Sequence, residues 1–298
     1  MTTRTYESAP AVLPLYARAV LPALPLLGSL PGLRKDTADD LPDLEVSRVG
    51  VHTDTEHLAG YARLTGHALS DRLPGLYPHL AAFAPQLAVL TDRRFPFAAL
   101  GLVHLENSVR QHRPLHVGET YDLVVRPARL RAHRSGRLID LDTTVTVGAE
   151  TVWEETTTVL ARGGGDRETA DTSPLAGVAA PVGDAQWRVP AGIGRAFAAV
   201  SGDRNPIHLT GLTAKAFGFP RAIAHGMWTA ARALAAVESS LPATYRYDVA
   251  FRKPVLLPAE VRFGSAAEAG AGRLVGVVSA DGTREHLVGR ITPDPDRP

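Results

Sequence analysis

The chain contains no cysteine. Disulfide frameworks, cysteine-ligated zinc, iron–sulfur clusters and thiol nucleophiles are excluded by that alone. An excess of charge of either sign is also missing: 32 Lys and Arg stand against 31 Asp and Glu, a formal net charge of +1. Such a balance offers no broad electrostatic footprint for nucleic acid or an anionic membrane. Uninterrupted apolar runs are absent as well. The Leu- and Ala-rich stretch from Ala11 to Leu33 is broken by Pro14, Pro22, Pro25 and Pro31, whereas a membrane-spanning helix needs ~20 mostly apolar residues. Arg18 interrupts the same run, and Arg4 is followed by Glu7, which does not fit the basic start and clean apolar core of an export signal. The expectation is a surface leader over residues 1–35, no membrane span and a cytoplasmic location. No Gly-x-Ser-x-Gly elbow occurs, which argues against an α/β-hydrolase. Gly192-x-Gly194 and Gly270-x-Gly272 lack the later glycine and the strand–turn–helix setting of a dinucleotide loop, and both read as turns.

What is present suits a globular protein. A chain of 298 residues, 45% hydrophobic and 21% charged, builds a sizeable core in two units or one large one. Residues 163–184, opened by Gly163-Gly164-Gly165, carry no apolar period and read as a linker. The expected organisation is the leader 1–35, a first half at 36–162, the linker, and a second half at 185–298. Within the first half, helical spacing covers Asp54 to Gly66 and Pro78 to Leu90, the latter with a kink at Pro85. Strand patterns follow over Val103–His112, Tyr121–Ala132, Leu138–Val147 and Val152–Ala161. The second half repeats this order. Helices are expected over Ala191–Val200 and Met227–Ser239, then strands over Tyr245–Arg252, Val261–Ala267, Leu274–Ser279 and His286–Ile291. Helices followed by runs of antiparallel strands imply an α+β fold.

The two halves share short sequences as well as order. Tyr61-Ala62-Arg63-Leu64-Thr65-Gly66 lies 136 positions before Phe197-Ala198-Ala199-Val200-Ser201-Gly202, and His112-Arg113-Pro114-Leu115 lies 140 positions before Arg252-Lys253-Pro254-Val255. Two matches in one order imply a duplicated fold.

The segment that carries chemistry runs from Phe197 to His208. A helix ends near Ser201, Gly202 offers a way out of it, and Asn205-Pro206 imposes a turn. Asp203 and His208 lie five residues apart across that turn, so they can converge on one small ligand. A carboxylate and an imidazole together hold a water and move its protons. Farther on, Gly226 opens an apolar helix. The first N–H groups of a helix lack internal partners and sit at its positive end, and a glycine there allows a carbonyl oxygen to approach them.

These residues resemble the hydratase 2 motif of the MaoC-like (R)-specific enoyl-thioester hydratases and dehydratases. The match runs from Phe197 through Ala216 and on into Gly218-Phe219-Pro220 and Ala224-His225-Gly226-Met227. Together with Phe95-Pro96-Phe97-Ala98-Ala99 and His104-Leu105-Glu106-Asn107 in the first half, the whole chain resembles the double-hotdog (3R)-hydroxyacyl-thioester dehydratases of mycobacteria. The resemblance implies a double hotdog, in which an antiparallel sheet wraps a central helix twice in one chain. It implies a catalytic pair at Asp203 and His208, a supporting polar residue at Asn205 and an oxyanion donor at Gly226. It implies an acyl-CoA or acyl-carrier-protein thioester as substrate and no separate cofactor or metal. Whether such a chain is a monomer or a homodimer stays open. At the 136-residue offset, His67, Leu69 and Arg72 stand where Asp203, Asn205 and His208 would be. One active site per chain, in the second half, is the expectation.

Several plainer readings stand beside this one. Asp203 could be a turn residue and His208 a satisfied loop histidine, or the two could join Asn205 around a metal. His225 reads as a helix cap, outside the catalytic set. Arg252 and Lys253 could meet the phosphates of a pantetheine arm or form a solvated strand end. His104, Glu106 and Asn107 read as structural. In function, the alternatives are a hotdog thioesterase and a non-catalytic acyl-binding partner of another hotdog subunit.

Overall fold

The computed structural model describes residues 1–20 and 40–294. The part of the expected leader between 21 and 35 lies outside the described residues. In chain order the first half holds β1 (Thr2–Tyr6), α1 (Val12–Val20), β2 (Leu44–Val51), α2 (Thr55–Thr65), α3 (Pro78–Leu90), β3 (Val103–Gln111), β4 (Tyr121–His133), β5 (Gly136–Val147) and β6 (Glu150–Arg162). The second holds β7 (Ala185–Val189), α4 (Ile193–Ser201), α5 (Pro206–Leu209), α6 (Gly211–Ala216), α7 (Gly226–Ala235), β8 (Tyr245–Phe251), β9 (Ala259–Ala267), β10 (Arg273–Ser279) and β11 (Glu285–Pro293). Among the described residues no helix is long and apolar enough to cross a membrane.

The chain forms two compact units, and they do not simply follow chain order. One contains residues 1–52, 79–104 and 120–171; the other contains 53–78, 105–119 and 172–298. In the first unit the strand order is β1-β2-β4-β5-β6. The β4–β5 and β5–β6 pairs are antiparallel, while β1 runs parallel to β2. Helix α3 continues through Pro85. It lies on the sheet through polar groups, which its apolar sequence does not suggest. The Gln86 side-chain amide donates to Thr143, Glu155 and Thr157, and His79 Nδ1 lies 2.7 Å from Glu155 Oε1. All five side chains are buried, so each needs the partners it finds.

In the second unit the order is β3-β8-β11-β10-β9-β7, and α7 packs against β10 and β11. Its helical residues Ala230, Ala231, Ala233 and Leu234 are fully buried. The regular helix stops at Ala235, and Glu238–Ser240 continues as a short 3-10 turn, so the expected helix to Ser239 is four residues too long. The duplicated sequence segments become α2 and α4, which pack on each other in this unit, with the rings of Tyr61 and Phe197 6.4 Å apart. Their ends match. Gly66 and Gly202 each close a helix in the left-handed region, at φ 82° and 74°. Thr65 and Ser201 each return a hydroxyl bond of 2.8 Å to the carbonyl four residues earlier.

The later part of the expected linker is docked on the same unit. Arg252 donates to the Leu175 carbonyl, Ala180 N donates to Glu285, and Leu175 and Ala180 join Ala250, Val278 and Val288 in a small apolar cluster. Gly264 and Gly276 face each other across β9 and β10. A Cβ at either would run into the Pro181 carbonyl, so the glycines form the notch in which this segment lies. Arg252 is thereby engaged through one guanidinium nitrogen with the protein's own backbone.

Candidate active site

Three short elements bring the site together. Helix α4 ends at Ser201, whose hydroxyl receives the Asp203 N–H at 3.2 Å. The turn then folds on itself, with Asn205 N–H donating to Asp203 Oδ1 at 3.0 Å. Asn205 Oδ1 in turn accepts from Ile207 N–H and caps α5. Its side chain therefore starts the helix that carries His208, while its backbone fixes one oxygen of Asp203. Asp203 Oδ2 faces inward.

His208 sits on α5, buried. Its Nδ1 lies 2.9 Å from the Ile223 carbonyl. A carbonyl only accepts, so Nδ1 carries the hydrogen, and in the neutral ring Nε2 presents its lone pair. That Nε2 lies 4.0 Å from Asp203 Oδ2. The gap is too long for a direct hydrogen bond and leaves both atoms to accept from a third group. Burial is the main influence on the His208 ring and lowers its pKa, against the opposing pull of Asp203.

The close approach of α4 to α5 depends on Gly194. It is not a turn residue, as its spacing suggested, but lies inside α4. A Cβ there would overlap the His208 carbonyl. Overpacking of this kind typically costs ~1–3 kcal/mol. Gly194→Ala is therefore expected to lower stability by that amount in urea denaturation and to reduce turnover as well, because the backbone it displaces holds His208. A variant with wild-type stability and turnover would show that the two helices yield freely.

The residue that sequence reasoning set aside is His225. It precedes α7 in an extended conformation, but its side chain makes no capping bond. Instead Nε2 lies 3.0 Å from the Asp203 carbonyl and 3.7 Å from Asp203 Oδ2. Its ring stacks on His208 with centroids 3.7 Å apart. Burial, then the neighbouring His208, pushes its pKa down to about 3. The adjacency of His225 to Gly226 was the one hint in the sequence; its 22-residue separation from Asp203 gave none.

Asp203, His208 and His225 offer three ligand atoms within 4.8 Å of one another. A metal does not suit them. His225 Nε2 lies 3.0 Å from the Asp203 carbonyl, which only accepts, so this nitrogen carries a hydrogen and offers no lone pair to an ion.

Gly226 is the first residue of α7, where an N–H has no intrahelical partner. A Cβ at this position would come 3.0 Å from the Phe251 ring. The glycine is thus fixed by packing as well as by any ligand.

Residues 186–281 match the model of the MaoC like domain family. Over 248 residues the chain is 39% identical to 3-hydroxyacyl-thioester dehydratase X of Mycobacterium tuberculosis, covering 82% of this chain and 83% of that protein. The chain belongs to the MaoC-like family. The crystal structure of HtdX from Mycobacterium tuberculosis superposes with a TM-score of 0.74 at 36% identity, covering 84% of this MaoC-like chain and all of the other. A second Mycobacterium tuberculosis protein, described as a double hotdog, matches at TM-score 0.52 and 17% identity over 82% of this chain and 94% of its own. That likeness concerns the fold, and the fold of this MaoC-like chain is a double hotdog.

The buried rings carry a pH signature. The unfolded chain binds protons on histidines near the ordinary value of ~6.5, whereas the folded chain resists protonation of His225 down to about 3 and of His67 down to about 4, and burial lowers the pKa of His208 as well. As pH falls below ~6.5 the unfolded state gains protons that the folded state refuses, so stability is lost on acidification. The urea midpoint is expected to fall steadily from pH 7 to pH 5. A flat or rising midpoint would mean that these rings are protonated in the folded protein.

Proposed function

We propose that this chain is a hydro-lyase that adds water across the double bond of a trans-2-enoyl thioester to give the (3R)-3-hydroxyacyl thioester, and runs the reverse, in fatty acid or polyketide metabolism. The observation that carries the reading is the facing pair Asp203 Oδ2 and His208 Nε2, 4.0 Å apart, a spacing at which both can accept from one water between them. A water held between them donates one O–H to each. Its oxygen is then aimed at the β-carbon of the enoyl group.

The proton balance follows from the starting states. With Asp203 as carboxylate and His208 neutral, neither group brings a proton to the reaction. The proton delivered to the α-carbon is the one taken from the water, returned on the face from which hydroxide adds. Asp203 is our choice as the base, with His208 orienting the water and sharing the proton. The N–H of Gly226 would receive the thioester oxygen as it becomes enolate-like. The chemistry belongs to the second half, residues 185–298. The first half, 36–162, contributes none, since His67, Leu69 and Arg72 replace the working residues. In the described fold His67 is buried beneath Tyr61 and bonded to Thr65, as befits a packing residue.

The deciding experiment follows the conjugated absorbance of crotonyl-CoA and of longer enoyl-CoAs, with thiol release measured in parallel and product chirality determined. Loss of absorbance without thiol, giving the (3R) product, is expected. Thiol release would make the chain a thioesterase, and no change with any chain length would make it a binder.

A further inference from the structure

We propose that His225 is a positioning residue that locks both members of the catalytic pair, an inference that rests on the hydratase reading above. Three structural facts point to it. The ring is buried, 3% exposed, at the very start of α7, yet makes no cap to its own helix. Its Nε2 lies 3.0 Å from the main-chain oxygen of Asp203. Its face covers the face of His208 at 3.7 Å, while Phe197 closes on it from another side at 5.1 Å.

These contacts fix its chemical state. The Asp203 carbonyl only accepts, so Nε2 carries the hydrogen. Nδ1, for which no partner exists among the described residues, then holds a lone pair. An unused buried acceptor is cheaper than an unused buried N–H, so the opposite tautomer loses on both nitrogens. The ring is not placed as a proton carrier. One nitrogen is committed to backbone, and the other has no partner to pass a proton to.

The consequence is mechanical. Asp203 leaves α4 on a turn tied by Ser201 to its N–H and by Asn205 to its Oδ1. Neither of these holds its carbonyl. His225 does so, and thereby fixes the peptide plane from which the Asp203 side chain emerges. The same ring limits rotation of His208 about its bond to Ile223. Because the next residue is Gly226, a shift of His225 also moves the proposed oxyanion donor. One side chain thus sets the mutual placement of base, partner and N–H. A misplacement of ~1 Å at a reacting centre can cost about 100-fold in rate.

Two variants separate the hydrogen bond from the stack. His225→Phe keeps a flat buried ring on His208 but removes the donor. His225→Gln loses the ring but can present an amide N–H near the position of Nε2. For crotonyl-CoA hydration we expect His225→Phe to lose ~10–100-fold in kcat with KM within about threefold, and His225→Gln to recover at least about fivefold of that loss. Circular dichroism melting establishes that each variant is folded. A folded His225→Phe with kcat within about threefold of wild type, or a glutamine no better than phenylalanine, would overturn the proposal.

A measurement on the unaltered chain makes the test independent of variant folding. Long-range proton–nitrogen correlation of the histidine rings is expected to show His225 as the neutral Nε2–H tautomer throughout pH 5 to 8. A neutral Nδ1–H tautomer, or a protonated ring at pH 6, would overturn the proposal even if every variant unfolds. This readout does not depend on turnover. If wild-type protein fails to hydrate any enoyl-CoA, the hydratase reading falls, while the tautomer still decides whether His225 holds the Asp203 carbonyl.

Discussion

Asp203→Asn and His208→Ala are each expected to lower crotonyl-CoA hydration by at least ~100-fold, the scale of a positioned acid–base group. Asparagine is the sharper of the two tests. It keeps an oxygen to accept from Asn205 N–H, the tie that shapes the turn at 3.0 Å. What it loses is the charge and basicity facing His208 Nε2. His208→Ala removes the second acceptor and also leaves a gap under the His225 ring, so part of its effect is structural, and melting temperature must be measured beside turnover. The double variant is expected to be about as slow as the worse single one, because two groups that handle one proton act as a unit. A folded Asp203→Asn protein with near wild-type turnover would remove the pair from the chemistry.

Gly226→Pro is expected to cost ~10²–10³ in turnover, the usual loss for one oxyanion donor. Proline is well tolerated at the first position of a helix, which is where Gly226 lies. Packing complicates a simple reading, since any Cβ here meets the Phe251 ring at 3.0 Å. Gly226→Ala supplies the control: it adds the Cβ and keeps the N–H. The ratio of the two variants therefore reports the donor alone. Substrate binding is expected to weaken less than turnover in Gly226→Pro, since the donor acts most on charge that develops in the transition state. Equal turnover in the alanine and proline variants would mean that the N–H is not used and that Gly226 is there for Phe251.

Individual elements of the chain were legible where their signals are local. Asp54 before an apolar period and Gly66 after it fixed α2 within a residue, and the structure shows the corresponding cap bond from Asp54 and the left-handed Gly66. The period-two pattern from Leu138 onward fell inside β5. The strands that escaped notice, β1, β2 and β7, lack a clean alternation; β1 and β7 are only five residues long and largely exposed. Buried polarity was hidden too. Gln86 and His79 sit in a stretch that reads as an apolar helix, and their partners Thr143, Glu155 and Thr157 lie 57 to 76 positions away.

The same division runs through the site. The sequence by itself determined the turn, since Gly202, Asn205 and Pro206 act through their own backbone preferences and place Asp203 and His208 on either side of it. It also determined the glycine at the start of α7 and the kinship between α2 and α4. Tertiary structure alone decided which atoms face each other. The 4.0 Å between Asp203 and His208 depends on Gly194 letting two helices touch, and the tautomer of His208 depends on a carbonyl 15 residues away. His225 reaches the pair only because α7 starts beside α5. Backbone preference acts over a few residues and is written in order along the chain. Hydrogen bonds and ring contacts act over a few ångströms, between groups whose separation in sequence the fold is free to choose.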